Sequence, residues 1–380
     1  MRVGIDASNL RAGGSVTHLR ELLMHTSPEE HGLEHVTVWG GRVTIAQLPS
    51  ASHWLTLAHQ PALDGALPRR LWWQRSRLAN LARAASCDIL FIPGGSYRGS
   101  FRPYVTMFRN MLPFDSREMR RYAYRYTYWR LRALRAVQTN AFRRADGVIF
   151  LNHHAQAMIA PLIGGRAKYA IIPHGVAERF VARPREQEPL AAYGADRPFR
   201  IVYTSIIDLY KHQWNVAEAV MRLRREGLPL ALDLVGPAYP PALAKVNEVL
   251  SRYGDVRGAI RVVGVTPNAD LPAIYRAADA FVFASTCENM PNALIEAMAS
   301  GLPIASSRSR PMPDILGDGG LYFDAEDPSA IASAVRRLAT EPNLRGRLAS
   351  VASERASAYS WERCARETYA FLHHVCGVAA

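Results

Sequence analysis

Short apolar runs separated by stretches of helical periodicity recur along the chain, the pattern of a parallel sheet whose strands are joined by crossover helices. In the first half the runs fall at residues 3–7, 36–39, 88–92, 104–108, 147–151 and 171–176. Helical patterns lie between them at 16–24 and, unusually long, from about 117 to 145. A polar, proline-bearing stretch over 177–198 reads as a linker. The alternation then restarts, with apolar runs at 199–204, 231–236, 260–264, 280–283, 302–305 and 320–323. The last segment, 360–374, predicts an amphipathic helix opened by a serine cap at Ser360. The expected fold class is α/β, with a first domain over 1–180, a second over 190–360 and a terminal helix in 361–380.

The length, 380 residues, suits two domains that each bury a core. Apolar residues make up 49% and charged ones 21%, a soluble globular composition. Cys87, Cys287, Cys364 and Cys376 are scattered without C-x-x-C spacing, which supports neither a zinc site nor a disulfide framework and fits a reducing compartment. The chain opens on a strand pattern rather than a signal peptide, and no apolar run approaches the ~18 residues a membrane span needs. A cytoplasmic location is expected, with any contact at the inner membrane peripheral.

The formal charge of +13 is unevenly spread. Residues 98–144 hold twelve arginines against Asp115 and Glu118, interleaved with Tyr122, Tyr124, Tyr126, Tyr128, Trp129 and Phe142. Such a stretch can meet nucleic acid, an anionic membrane surface or a phosphorylated acceptor; equally, it can be a partly solvated helix whose tyrosines pack inward. Nothing resembling a helix-turn-helix, RRM or zinc finger accompanies it, so nucleic acid is not an expected partner.

The most informative chemistry is a pair of carboxylates, Glu288 and Glu296, set between the apolar run 280–285 and a helical run that stops at Gly301. This reads as strand, tight loop, helix, and it puts Glu288 where open α/β sheets place ligands. Glu296 falls within the helix. Two hydroxyl acceptors flanking a helix start that can face an anion describe a nucleotide sugar, although two glutamates eight apart are common in themselves. Gly13 and Gly14 sit at the first strand-to-helix turn, where backbone can approach a phosphate or an acceptor. His174, in Pro173-His174-Gly175, ends the first half and is either a turn histidine or a ligand to acceptor phosphate. His153 and His154 read as an exposed helix start rather than metal ligands.

Residues 275–285, the two glutamates, 297–305, 313–323 and Asp327-Pro328 together resemble the donor-site signature of family-4 glycosyltransferases, in order over roughly fifty residues. The resemblance implies the GT-B arrangement: two doubly wound Rossmann-like domains facing a cleft, with the C-terminal helix crossing back to the first. It implies that Glu288 contacts the donor sugar, that Glu296 accepts from the ribose hydroxyls, and that Lys211 binds the diphosphate. The loop Asn289-Met290-Pro291-Asn292 would offer backbone N–H groups to the donor, but it lacks the frequent Gly-Phe-Gly, and Pro291 has no N–H to give. Ser205 stands where the family commonly has an arginine. Arg109 and Asn110 stand where it often has a histidine or an acid. Asn110 can bond a sugar hydroxyl and Arg109 an acceptor phosphate, and neither is an ordinary general base. Stereochemical retention is implied by the family alone.

The chain has no D-x-D motif, so cations and helix N-termini are expected to stabilise the leaving group, with no metal or other cofactor. The variant 205–213, Trp72-Trp73 and the run after Arg109-Asn110 look like bacterial O-antigen and capsule assembly members. Those point to transfer of a hexose or deoxyhexose, with mannose from GDP-mannose first, to an undecaprenyl-diphosphate-linked or polysaccharide acceptor. The alternatives are a nucleotide-sugar epimerase or phosphorylase on the same fold, and a non-catalytic basic membrane-binding protein.

Overall fold

The computed structural model describes residues 1–11, 13–165, 167–254 and 259–377. The chain divides into two compact units. The first takes in Met1–Phe114, Tyr122–Gly175 and the residues from Ser360 on; the second takes in Asp115–Arg121 and Val176–Tyr359.

Among the described residues the first unit is built on seven strands: β1 (Arg2–Asp6), β2 (His35–Gly40), β3 (Leu55–His59), β4 (Ile89–Ile92), β5 (Tyr104–Met107), β6 (Gly147–Phe150) and β7 (Lys168–Ile171). Their order is β3-β2-β1-β4-β5-β6-β7, and every pairing is parallel. The second unit holds β8 (Phe199–Thr204), β9 (Leu230–Val235), β10 (Ile260–Gly264), β11 (Ala280–Phe283), β12 (Ile304–Ser307) and β13 (Gly320–Phe323) in the order β10-β9-β8-β11-β12-β13, again parallel. Both sheets run outward from a central pair, β1/β4 in one and β8/β11 in the other. Each is therefore doubly wound, with a topological switch point at that pair. Central strands such as β4, β6 and β11 are buried along their whole length, which is why they read as unbroken apolar runs.

The edges behave differently. β3 and β7 close the two sides of the first sheet and each exposes two side chains, with only Leu55 fully buried. β3, Leu55-Thr56-Leu57-Ala58-His59, carries no continuous apolar run and is missed by the sequence pattern. The run at 171–176 belongs mostly to the segment after β7, whose own residues include the exposed Lys168 and Tyr169. The long helical pattern over 117–145 is also interrupted. It becomes two helices, Ser116–Arg120 and Tyr126–Arg144, separated by a turn in which Tyr124 takes φ 63°. The short helix is capped by Asp115, whose side chain accepts from the N–H groups of Arg117 and Glu118. It groups with the second unit, where Arg117 and Arg121 both pair with Glu326.

The terminal helix Trp361–Cys376 starts at Ser360, whose Oγ accepts from Arg363 N at 3.1 Å, and it is part of the first unit. It crosses back to that unit beside Gly175, where a Cβ would lie 2.3 Å from Trp361 N. Gly175→Ala is therefore expected to destabilise the chain by about 1–3 kcal/mol through overpacking. A lower urea midpoint, with faster proteolysis of the C-terminal helix, would show it; an unchanged midpoint would rule it out. Among the described residues no helix is long and apolar enough to cross a membrane.

Candidate functional site

In the second unit the switch-point strands β8 and β11 pair directly, Ile201 opposite Ala280 and Val202 opposite Phe281. The loops that leave their carboxyl ends are therefore neighbours. The loop after β8 carries Ser205 and Lys211 and ends at His212, which takes a left-handed conformation before the helix Gln213–Arg225. Gln213 sets its shape: its Nε2 donates to Ser205 Oγ and to Ile206 O, both at 2.9 Å. The loop after β11 is stitched to the first, since Thr286 N donates to Tyr210 O at 2.9 Å and His212 Nε2 lies 3.2 Å from Thr286 Oγ1.

These constraints bring Lys211 and Glu288 together. Lys211 Nζ is ion-paired with Glu288 Oε1, and their side chains are only 8% and 12% exposed. The ammonium also lies 4.9 Å from the centre of the Phe283 ring and 5.1 Å from that of Tyr210, within cation–π range. Tyr203 OH fixes the backbone by donating to Lys211 O at 2.7 Å. A surface lysine would show none of this. Ser205 supplies no cation and is absorbed into the loop, its hydroxyl donating to Ile206 O at 2.9 Å.

Glu296 lies on the helix Asn292–Ala299, which begins directly after Pro291. Its Oε2 accepts from Tyr275 OH at 3.1 Å, and Tyr275 OH is itself 2.5 Å from Thr204 Oγ1 at the end of β8. Burial raises the carboxyl from 4.5 to about 7; the Tyr275 bond and the charge of Arg179 only partly offset this. Asn289 and Met290, in the loop after β11, are buried. Asn292, the first helical residue, has a buried Oδ1 with no hydrogen-bond partner among the described residues. Of the first N–H groups there, those of Leu294 and Ile295 donate to Pro291 O at 3.1 and 3.3 Å, which leaves the N–H groups of Asn292 and Ala293 at the tip of the helix. One ammonium, two carboxylates and a helix start thus lie on the segments that leave the carboxyl ends of the switch-point strands.

Gln213, Tyr275, Thr204 and Thr286 were not singled out by sequence reasoning. Tyr275 lies within the resembling segment, where it passes for an ordinary helix residue. Its hydroxyl was the available signal, because a fully buried tyrosine needs a partner.

In the first unit Gly13 takes φ 69°, a conformation that favours glycine, and precedes the helix Gly14–Met24. Arg109, just beyond β5, donates from Nη2 to Gly14 O at 2.8 Å, so two of the expected acceptor-side residues are in contact. Burial lowers its pKa to about 10, leaving it fully charged at neutral pH. Asn110 is exposed, its Oδ1 accepting from Leu112 N at 3.2 Å. His174 lies inside the unit, 3% exposed, with its Nδ1 3.0 Å from Nδ1 of His18 and both rings against Trp361. Burial and the nearby Arg109 hold both imidazoles well below 6.5, so they are neutral at pH 7, one Nδ1 donating to the other. The ring of His174 is thus committed to the interior, and no cationic phosphate contact comes from it. His18 escaped the sequence reading as one polar residue on the buried face of a helix. His153 lies exposed at a helix start capped by Asn152, as expected, whereas His154 beside it is half-buried.

Two parallel-sheet units of Rossmann order define the GT-B class, and solved structures agree. A sucrose-phosphate synthase from Thermosynechococcus elongatus superposes with a TM-score of 0.77 at 17% identity, covering 99% of each chain. WaaG, a glycosyltransferase involved in lipopolysaccharide biosynthesis, gives 0.68 at 15% identity over 98% of this chain and 99% of its own. In sequence, residues 12–180 match the model of Glycosyltransferase Family 4 and residues 198–341 that of Glycosyl transferases group 1. The O-antigen chain mannosyltransferase B of Escherichia coli is 33% identical over 227 residues, 60% of this chain and 57% of that protein. A GDP-mannose-dependent alpha-(1-6)-phosphatidylinositol monomannoside mannosyltransferase of Mycolicibacterium smegmatis is 29% identical over 244 residues, 60% of this chain and 62% of its own. The chain belongs to the family-4, group 1 glycosyltransferases. Its matches span about three-fifths of the length of these two relatives.

Proposed function

We propose that the protein is a retaining hexosyltransferase that moves mannose from GDP-mannose to a lipid-linked or polysaccharide acceptor during assembly of a cell-surface glycan. The observation that carries this reading is the Lys211–Glu288 pair at the β8/β11 switch point, with Glu296 on the helix that follows. In this reading the donor diphosphate takes Lys211 from Glu288, which frees that carboxylate for the sugar hydroxyls. Glu296 receives the ribose hydroxyls on the oxygen that Tyr275 leaves open. The N–H groups at the start of the helix Asn292–Ala299 share the leaving charge with Lys211, so the reaction does not call on a metal. Arg109 and Gly14 serve the acceptor, and the exposed Asn110 offers a hydrogen bond to a sugar. The departing phosphate takes the acceptor proton, because neither Arg109 nor Asn110 is a base. Mannose is favoured by the names of both relatives above, and GDP by that of the second.

The test is a thermal-shift series with GDP-, UDP-, dTDP- and ADP-sugars in the presence of EDTA, followed by the rate of nucleoside diphosphate release with and without acceptor glycan. Stabilisation by GDP-mannose above the others, and release that needs acceptor, are expected. Preference for another nucleotide would refute the donor assignment, and acceptor-independent turnover would favour an epimerase. Activity lost in EDTA would refute metal independence.

A further inference from the structure

The first unit carries a concentration of positive charge that the reading above does not use. Two of its helices contain no acidic residue: Leu67–Ser76, with Arg69, Arg70 and Arg75, and Tyr126–Arg144, with Arg130, Arg132, Arg135, Arg143 and Arg144. Between them lies a cavity of about 460 Å³ lined by Arg75, Arg98, Ala136, Val137, Asn140 and Arg144. Ala136, Asn140 and Arg144 stand four residues apart, so one stripe of the long helix forms a wall. Three guanidinium side chains and a carboxamide line the cavity, and among the described residues no carboxylate does.

Some arginines elsewhere in the chain are neutralised: Arg102 meets Asp146 at 2.5 Å, Arg121 meets Glu118 at 2.6 Å, and Arg261 meets Asp233 at 2.6 Å. Among the described residues Arg75 and Arg98 have no ion pair, and the side chain of Arg144 makes only a long contact, 3.4 Å, to Gly99 O. Three like charges around one cavity repel one another, and an anion relieves that repulsion.

We propose that Arg75, Arg98 and Arg144 form a phosphate-binding pocket that takes a phosphate or diphosphate ester. The forked donors of three guanidinium groups match the several oxygens of a phosphate. The cavity also has room for the group the phosphate is esterified to. Both walls carry exposed indoles: Trp72, 56% exposed and three residues before Arg75, and Trp129, 63% exposed and two turns before Ala136. Indole rings settle at the headgroup level of a bilayer, which favours a lipid headgroup as the source of the phosphate. The pocket shares no residue with the Lys211–Glu288 site and stands whether or not that site binds a nucleotide sugar.

The full chain is titrated calorimetrically with inorganic pyrophosphate, and cosedimented with phosphatidylcholine vesicles with and without phosphatidylglycerol. Four proteins are compared, with circular dichroism melts confirming the fold of each: wild type, Arg75→Ala/Arg98→Ala, Lys211→Ala, and Arg130→Ala, which removes an exposed arginine of the same helix from outside the pocket. Pyrophosphate affinity is expected to fall about tenfold or more in the double variant and to persist in the other two. No pyrophosphate binding in wild type, a loss confined to Lys211→Ala, or equal losses in Arg130→Ala and the double variant would overturn the pocket. Given the expected pattern, vesicle binding that falls in step with the double variant identifies a lipid phosphate. Vesicle binding that is absent, or indifferent to it, identifies a soluble phosphate ester.

Discussion

Lys211→Ala is expected to lower turnover by about 10²–10³-fold, the loss seen when one preorganised partner of a developing negative charge is removed from an enclosed site. The ammonium is held by the loop after β8, by two aromatic faces and by Glu288, and so it is aimed before any donor arrives. The same substitution strands Glu288, 12% exposed, without its counter-charge, and breaking a buried pair costs on the order of 3–5 kcal/mol. Lost activity could then be lost fold. A double-mutant cycle separates the two. Glu288→Gln removes the stranded charge, so the stability of Lys211→Ala/Glu288→Gln should recover most of what Lys211→Ala loses. If Lys211 meets the leaving diphosphate, adding Lys211→Ala to Glu288→Gln still costs about 10²-fold in the rate of nucleoside diphosphate release. If that further loss is absent, the lysine acts only through Glu288 and the leaving-group role is wrong.

The donor half of the site was legible because its signals are local. Glu288 falls on the loop after β11 and Glu296 on the helix after it, as an apolar run, a loop and a helix stopped by Gly301 require. What the sequence hid is what joins distant segments. The Tyr275–Thr204 bond spans 71 residues and the His18–His174 contact 156, and no periodicity encodes either. His174 illustrates this, since Gly175 made it look like an open turn. The glycine is needed instead because the terminal helix begins against it, in the space that leaves no room for a Cβ. Edge strands β3 and β7 were lost or misplaced for the opposite reason, their apolar residues being broken up by Thr56 in one and by the exposed Lys168 and Tyr169 in the other. The break around Tyr124 was hidden by residues that all suit a helix. The short segment's ion contacts run from Arg117 and Arg121 to Glu326, some two hundred positions on, and no local pattern encodes them.

Glu296 makes the second large effect one of pH. Its carboxyl titrates near 7 in the folded chain rather than at 4.5, because the fold favours the protonated form. Relative to a neutral side chain the carboxyl costs nothing below about pH 4.5; the cost grows as pH rises and levels off above 7 at about 3 kcal/mol. Glu296→Gln is neutral throughout and keeps an oxygen for Tyr275. It should therefore match wild type in thermal stability near pH 4.5 and exceed it near pH 8. Binding should move the other way. Ribose hydroxyls are best received by the ionised carboxylate, so wild-type affinity for the nucleotide donor should weaken by up to about tenfold per pH unit below 7. Glu296→Gln should bind weakly with no such slope. Calorimetric titrations between pH 5.5 and 8 decide it. A pH-independent wild-type affinity would mean that Glu296 does not meet the ligand in its charged form, and a Glu296→Gln variant less stable than wild type at pH 8 would mean that its burial is compensated by contacts beyond Tyr275.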